Sequence, residues 1–432
     1  MKILFLSPYP PYPPFGGGAM RVYQLIRGLA ARHDVTCLTF APDAAAERAL
    51  APLQAICRVL TVRGPLPRGL VRRAWTTLAS PLPDMALRNA SRAYITALEG
   101  VLARECFEIV QAESIEMAGY LQVAGRRSQG VFTLRPATCD LRPATVLDQF
   151  NAEFVLQRRA FLTDLRRPRH WHAAGYSFVQ WLKLARYERR VMRDCDAVVA
   201  VSEEDRRTLL RLDPAGRIGV VPNGVDTAHF SRAAIVRERA GPFSFRAATL
   251  VFSGTLDFRP NVDAVTWFAR EVLPLIRARR PDARLLVVGR RPAPTLQALA
   301  AEGVLTLTGE VPDARPYLAG AAVYVVPMRI GGGVRFKLLE ALALEAPVVS
   351  TGMGAEGIDG LRDGEHCLLA DAPAAFADSV LRLLADPTMG RQLGEAGRAL
   401  MLGSYDWSAI VPRLEAIYQD LLSAARSRGT IS

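Results

Sequence analysis

At 432 residues and 47.2 kDa, the chain exceeds what one hydrophobic core organises and fits about two domains. Its 50% hydrophobic and 22% charged residues, with a mean hydropathy of +0.12, can build large cores and exclude a disordered or collagen-like chain. A formal charge of +12 points to an anionic partner, yet only Lys2, Lys183 and Lys337 are lysine among 54 basic residues, a bias that arginine-rich codon usage would also give.

Residues 2–7 (KILFLS) read as a buried strand, followed by a proline-rich loop that ends in Gly16, Gly17 and Gly18. Val22, Leu25, Ile26 and Leu29 recur at helical spacing, and residues 33–40 form a second strand, so the chain opens as a βαβ unit. Apolar strands at 107–111 and 197–202, with helical stretches between, argue for a parallel sheet covered by helices on both faces. The alternation pauses at residues 222–226 (PNGVD), where a hinge is expected. A second series follows: strand 248–254, a helix with Val265, Phe268, Val272, Leu273 and Ile276 on one face and a kink at Pro274, strands 285–289, 304–307 and 323–327, helix 334–344 and strand 347–351. The fold class is α/β, with two successive domains. The first covers 1–226 and is completed by a terminal helix at about 408–432; the second covers 227–407.

No apolar run reaches the roughly 18 to 20 residues that span a bilayer, and residues 3–6 run straight into prolines, so neither a signal peptide nor a membrane span is expected. Cys37, Cys57, Cys106, Cys139, Cys195 and Cys367 form no CxxC pair, and the five histidines show no ligand spacing. Reduced thiols, a cytoplasmic location and no metal site follow as expectations.

Two glycine loops carry the chemistry. Gly16, Gly17 and Gly18 lie between a strand and a helix, where bare backbone amides can approach a phosphate or sugar, although a simple turn would use the same residues. The stronger segment is 327–340 (PMRIGGGVRFKLLE), again from strand end to helix, where open α/β sheets bind ligands. Gly331, Gly332 and Gly333 offer amides there, Arg335 and Lys337 offer two cations for a diphosphate, and Glu340 offers a carboxylate for ribose hydroxyls. The alternative is a helix with solvated charges. Glu113 and Glu116, after the 107–111 strand, can bind acceptor hydroxyls or stand solvated on the surface.

Taken together, residues 222–226, the glycine-ended strand at Gly289, and residues 340–352 (EALALEAPVVSTG) with 354–358 (GAEGI) resemble the retaining nucleotide-sugar glycosyltransferases of the GT-B fold, family 4 type. The resemblance covers nearly the whole chain and is densest over 197–371. It implies two Rossmann-like domains facing across a cleft, a nucleoside-diphosphate sugar held mainly by the C-terminal one, an acceptor held mainly by the N-terminal one, and no cofactor or metal. It makes Glu340 the second glutamate of an E-x7-E motif whose first falls at Gly332, so the amides of 331–333 stand in for a carboxylate. The family's Arg and Lys after the first strand of the second domain fall near Thr255 and Pro260 and are absent, leaving Arg335, Lys337 and Arg259, beside Gly254, to meet the diphosphate. Residues 148–153 (DQFNAE) resemble a D-x-H-N-x-E segment with Phe150 in place of histidine.

The implied activity is hexosyl transfer in polysaccharide or glycolipid assembly. The alternatives are a nucleotide-sugar 2-epimerase and a non-catalytic nucleotide-sugar-binding scaffold. Residues 157–193 hold ten Lys and Arg against Asp164 and Glu188, interleaved with aromatics. Such a segment, with Arg63, Arg68, Arg72 and Arg73, can rest on an anionic membrane surface or pack its aromatics inward. Nucleic acid is not an expected partner, since no recognition module accompanies the charge.

Overall fold

The computed structural model describes residues 1–14, 16–65, 68–125, 142–165, 171–235, 248–331 and 333–429. The chain divides into two units, 1–222 with 411–432, and 223–410.

The first unit is built on seven strands, β1 (Lys2–Ser7), β2 (Asp34–Ala41), β3 (Arg58–Arg63), β4 (Ile109–Glu113), β5 (Ala144–Gln149), β6 (Ala197–Ala200) and β7 (Ile218–Val220). They form one parallel sheet in the order β3-β2-β1-β4-β5-β6-β7. Strand β1 lies inside it, with Phe5 opposite Cys37 on β2 and Gln111 on β4. A strand buried on both faces must be apolar throughout, which is why KILFLS does not alternate. Leu25, Ile26 and Leu29 of the helix Gly17–Ala30 are buried as their spacing requires. Strands β3, β5 and β7 were not read from the sequence. The first is half-buried and polar at both ends, and the last has three residues, too few to show a period.

The second unit carries β8 (Thr249–Ser253), β9 (Arg284–Val288), β10 (Thr306–Leu307), β11 (Val323–Val326), β12 (Val348–Ser350) and β13 (Leu368–Leu369). They form a parallel sheet ordered β10-β9-β8-β11-β12-β13, with Val251 opposite Leu286 and Tyr324. At the expected kink the helix Arg259–Trp267 passes into a π-turn, Phe268–Val272, just before Pro274, which stands in the first turn of the helix Leu273–Arg279. The wider turn lets the chain pass a residue that has no amide to donate.

The basic segment forms two helices, Glu153–Leu165 and Trp171–Asp194. Phe161, Phe178 and Trp181 cluster with centroids 5.3 to 6.3 Å apart, so these aromatics pack against one another while Phe178 stays exposed. Among the cysteines, Cys37, Cys57, Cys195 and Cys367 are free, whereas Cys106 is disulfide-bonded, which corrects the all-thiol expectation.

Candidate functional site

In the second unit, β8 and β11 are neighbours whose onward chains turn to opposite sides of the sheet. Such a reversal leaves a crevice beyond the strand ends. Gly254 follows β8, and its amide donates to the Val288 carbonyl (2.9 Å). A Cβ on Gly289 would overlap the Gly254 carbonyl oxygen, so glycine is what lets these two strand ends close together. The segment after β11 bends through Gly331 (φ 127°) and Gly333 (φ 72°). The Arg335 guanidinium packs against the bend, 2.7 Å from where a Gly331 Cβ would stand.

Arg335 occupies the N-cap of the helix Phe336–Ala343 and makes no capping bond with its side chain. Lys337, in the first turn, crosses the Phe252 ring at 4.0 Å from its centroid and donates to Asn261 Oδ1 (2.8 Å). Asn261 is pinned in turn, its Nδ2 donating to the Thr255 carbonyl (2.8 Å). The amine thereby comes to 3.0 Å from the Cβ position of Gly254. Burial, and then the Arg335 charge, brings the Lys337 ammonium down to about 7, with Glu340 opposing. Burial pushes the Glu340 carboxyl up to about 7, with Lys337 opposing. Both side chains keep partial solvent access. A cation in the first turn is also disfavoured by the positive end of its own helix, so an arriving anion would offset the costs borne by Lys337.

The same reversal falls between β1 and β4 in the first unit. The loop after β1 reaches Gly16 (φ 99°), the N-cap of a helix with no acid in its first turn. Tyr9 and Phe150 pack onto Gly18, where a Cβ would overlap the Tyr9 hydroxyl. Arg21, fully buried one turn later, grips both Asp148 oxygens through Nε (2.7 Å) and Nη2 (2.9 Å) and donates Nη1 to the Pro222 carbonyl (3.0 Å).

Glu113 ends β4 with no exposed surface. It accepts from Gln111 Nε2 (2.7 Å), and Gln111 Oε1 accepts from the Tyr418 hydroxyl (2.5 Å). Burial, and then the Asp148 carboxylate beside it, pushes the Glu113 carboxyl well above its ordinary value and so favours its neutral form. Ser114 follows in the left-handed region (φ 73°), its amide donating to the Asp148 carbonyl (2.8 Å). Glu116 accepts from Arg88 Nη1 and Asn89 Nδ2, both at 2.8 Å. The solvated-surface reading of these two glutamates is therefore corrected, because the turn after β4 folds both inward. Further along, burial raises Glu153 to about 7 and Glu188 well above its ordinary value.

Of the residues singled out in the sequence, the structure brings Gly254, Gly331, Arg335 and Lys337 together, with Glu340 close enough to act on Lys337. Arg259 opens the helix Arg259–Trp267 and is exposed. Gly332 lies outside the described residues. Gly16, Gly17, Gly18 and Glu113 belong to the first unit. Sequence reasoning missed Asn261, Phe252, Tyr9 and Arg21. Arg21 gave a signal, since a charged residue four before Leu25 on an apolar face demands a buried partner.

Residues 16–224 match the family described as glycosyl transferase 4-like domain, and residues 247–386 match glycosyl transferases group 1. Over 291 residues the chain is 31% identical to a GDP-mannose-dependent alpha-(1-6)-phosphatidylinositol monomannoside mannosyltransferase of Mycolicibacterium smegmatis, covering 63% of this chain and 73% of that one. The chain belongs to the group 1, family 4 type glycosyltransferases. This family member is also 32% identical over 232 residues to a phosphatidyl-myo-inositol mannosyltransferase of Mycobacterium tuberculosis, over 51% of its own length and 58% of that relative's. The match thus spans little more than half of that relative. Among solved structures it resembles sucrose-phosphate synthase from Thermosynechococcus elongatus, with a TM-score of 0.70 at 19% identity, covering 98% of this chain and 100% of that one. It also resembles Anabaena HepE in complex with UDP, with a TM-score of 0.64 at 15% identity, covering 97% and 100%. These likenesses are of fold, two parallel-sheet α/β domains of GT-B type.

Proposed function

We propose that the protein is a glycosyltransferase that moves a hexosyl group, with retention and without a metal, from a nucleoside-diphosphate sugar to a hydroxyl acceptor in glycolipid or polysaccharide assembly. The observation that carries this reading is the meeting of Lys337, Arg335 and the glycine-lined strand ends at the reversal between β8 and β11. Two cations, a helix start and bare amides converge on the place where sheets of this order receive a pyrophosphate. Glu340 takes the ribose hydroxyls, and the amides of Gly331 and Gly333 serve the donor sugar in place of the missing carboxylate. The first unit holds the acceptor near Gly16, Gly17 and Gly18, where Glu113, whose neutral form is favoured by burial, can donate as well as accept a hydrogen bond.

Little side-chain acid–base chemistry is required. In a front-face substitution the departing diphosphate oxygen takes the acceptor's hydroxyl proton while the glycosidic bond forms on the face the leaving group vacates. The protein aligns both molecules and neutralises the charge growing on the diphosphate. The names of the mannosyltransferase relatives and the UDP bound to HepE support a nucleotide-sugar donor and a lipid-linked acceptor.

The test is a panel of nucleotide sugars with and without phosphatidylinositol-type and polyprenyl-linked acceptors. Acceptor-dependent release of nucleoside diphosphate is expected, undiminished by EDTA, with product of the donor's own anomeric configuration. Conversion of donor to an epimer without acceptor, or tight donor binding with no transfer to any acceptor, would replace this reading with one of the two alternatives.

A further inference from the structure

The helix Leu70–Ala79 presents its polar side to the protein and its apolar side to solvent. On the inner side the Thr76 hydroxyl accepts from Arg68 (2.9 Å), and Lys183 Nζ donates to the carbonyls of Thr77 and Ser80, both at 2.6 Å. Gln180, three residues before Lys183, accepts from the Asp84 amide (2.8 Å), so the helix is held at its end and just beyond it. On the outer side stand Val71, Trp75 and Leu78, spaced i, i+4, i+7 and exposed by 86, 70 and 81%. An amphipathic surface helix ordinarily buries that stripe, whereas this one leaves it exposed.

A second apolar row lies on the helix Trp171–Asp194, to which the first is bonded through Lys183. Trp171, Phe178 and Leu182 are exposed there at i, i+7 and i+11. Eight of the eleven large hydrophobic residues exposed among the described residues belong to these two helices and to Glu153–Leu165, so the patch is a concentration and not ordinary scatter. Among the described residues of segment 157–193 the exposed charge has one sign, with Asp194 just beyond it paired to Arg190 (3.6 Å). Both acids of segment 157–193, Asp164 and Glu188, are buried, while Arg158, Arg186, Arg189 and Arg190 are exposed, as is Arg72 beside the first stripe.

We propose that this face of the first unit docks on an anionic lipid bilayer, with Val71, Trp75 and Leu78 entering the boundary between headgroups and acyl chains and the surrounding arginines meeting the lipid phosphates. Charge complementarity selects this occupant. A second copy of the chain would bring one arginine field against another, whereas an anionic lipid surface neutralises it and offers an apolar layer at the depth of the stripe. The proposal concerns where the protein sits and is independent of the donor chemistry, so the two fail separately.

The experiment is flotation of the full chain, without any donor, on vesicles of phosphatidylcholine alone and of phosphatidylcholine mixed with phosphatidylglycerol. Binding to the mixed vesicles alone is expected, weakened by added salt. A blue shift of tryptophan emission should accompany it and be reduced in Trp75→Phe. The triple variant Val71→Ser, Trp75→Ser, Leu78→Ser should partition at least about tenfold more weakly. Its side chains touch little of the protein, so its melting temperature should stay that of the parent. Three results would overturn the proposal: equal binding to neutral vesicles, wild-type partition by the triple variant, or a dimer in sedimentation that the triple variant abolishes.

Discussion

Where β1 meets β4, Glu113 and Asp148 are buried together, Arg21 grips Asp148, and burial pushes Glu113 well above its ordinary value. Where β8 meets β11, the residues gathered are Arg335 and Lys337, and burial with the Arg335 charge brings the lysine down to about 7. The two sheets have the same strand order at their centres, and both reversals carry a glycine turn leading into a helix. Topology therefore supplies the crevice, and the side chains decide what enters it. The acidic one, completed internally by Arg21, suits neutral hydroxyl-bearing groups; the cationic one is left incomplete and suits a polyanion.

The sharpest way to break that contrast is to remove the internal cation. Arg21→Met leaves Asp148 buried without its partner and should cost about 3–5 kcal/mol in denaturant unfolding of the first unit, most of it recovered when Asp148→Leu is added. In the second unit the corresponding change acts on binding. Lys337→Ala should weaken nucleoside diphosphate by about 10- to 100-fold in calorimetry, with stability little changed, because a charge-assisted contact to phosphate is lost while Glu340, already raised to about 7, can take up a proton. Because the free protein holds the Lys337 proton only up to about 7 and a bound diphosphate would retain it, binding takes up a proton. Affinity should then fall by up to about tenfold per pH unit above neutrality, and Lys337→Arg should flatten the profile. The smallest effect belongs to Glu113→Gln. The folded chain keeps the Glu113 proton to a higher pH than the unfolded chain, so stability falls as pH climbs from 4.5 toward the folded value. The glutamine variant should lose that slope and be modestly more stable at neutral pH.

Much of the fold was legible. Apolar runs of strand length separated by helical spacing gave the parallel α/β class, and both glycine loops fell at strand ends where the sheets reverse. The rest depends on partners far apart in the chain. Lys337 stood out as a rare lysine, but its placement is set by Asn261 and Phe252, 76 and 85 residues earlier. Arg21 and Asp148 are 127 residues apart, and no local pattern links them. Glu113 read as a surface charge because it follows a strand; the left-handed Ser114 turns the chain back over it, a conformation that serine does not announce. The helix Leu70–Ala79 read as merely basic, since a sequence displays an apolar stripe without saying whether it faces in or out.

The helix Trp407–Gly429 gives the first unit a history. Its residues from Val411 onward complete that unit: Tyr418 bonds Gln111, Glu415 bonds Arg32 through Nη2 (2.7 Å), and Ile417 fills the space a Gly219 side chain would take. Residues 223–410, by contrast, are contiguous. On the ribosome the inserted unit can therefore mature while the earlier-made one still waits for its closing segment, so the part translated first is the last to be finished.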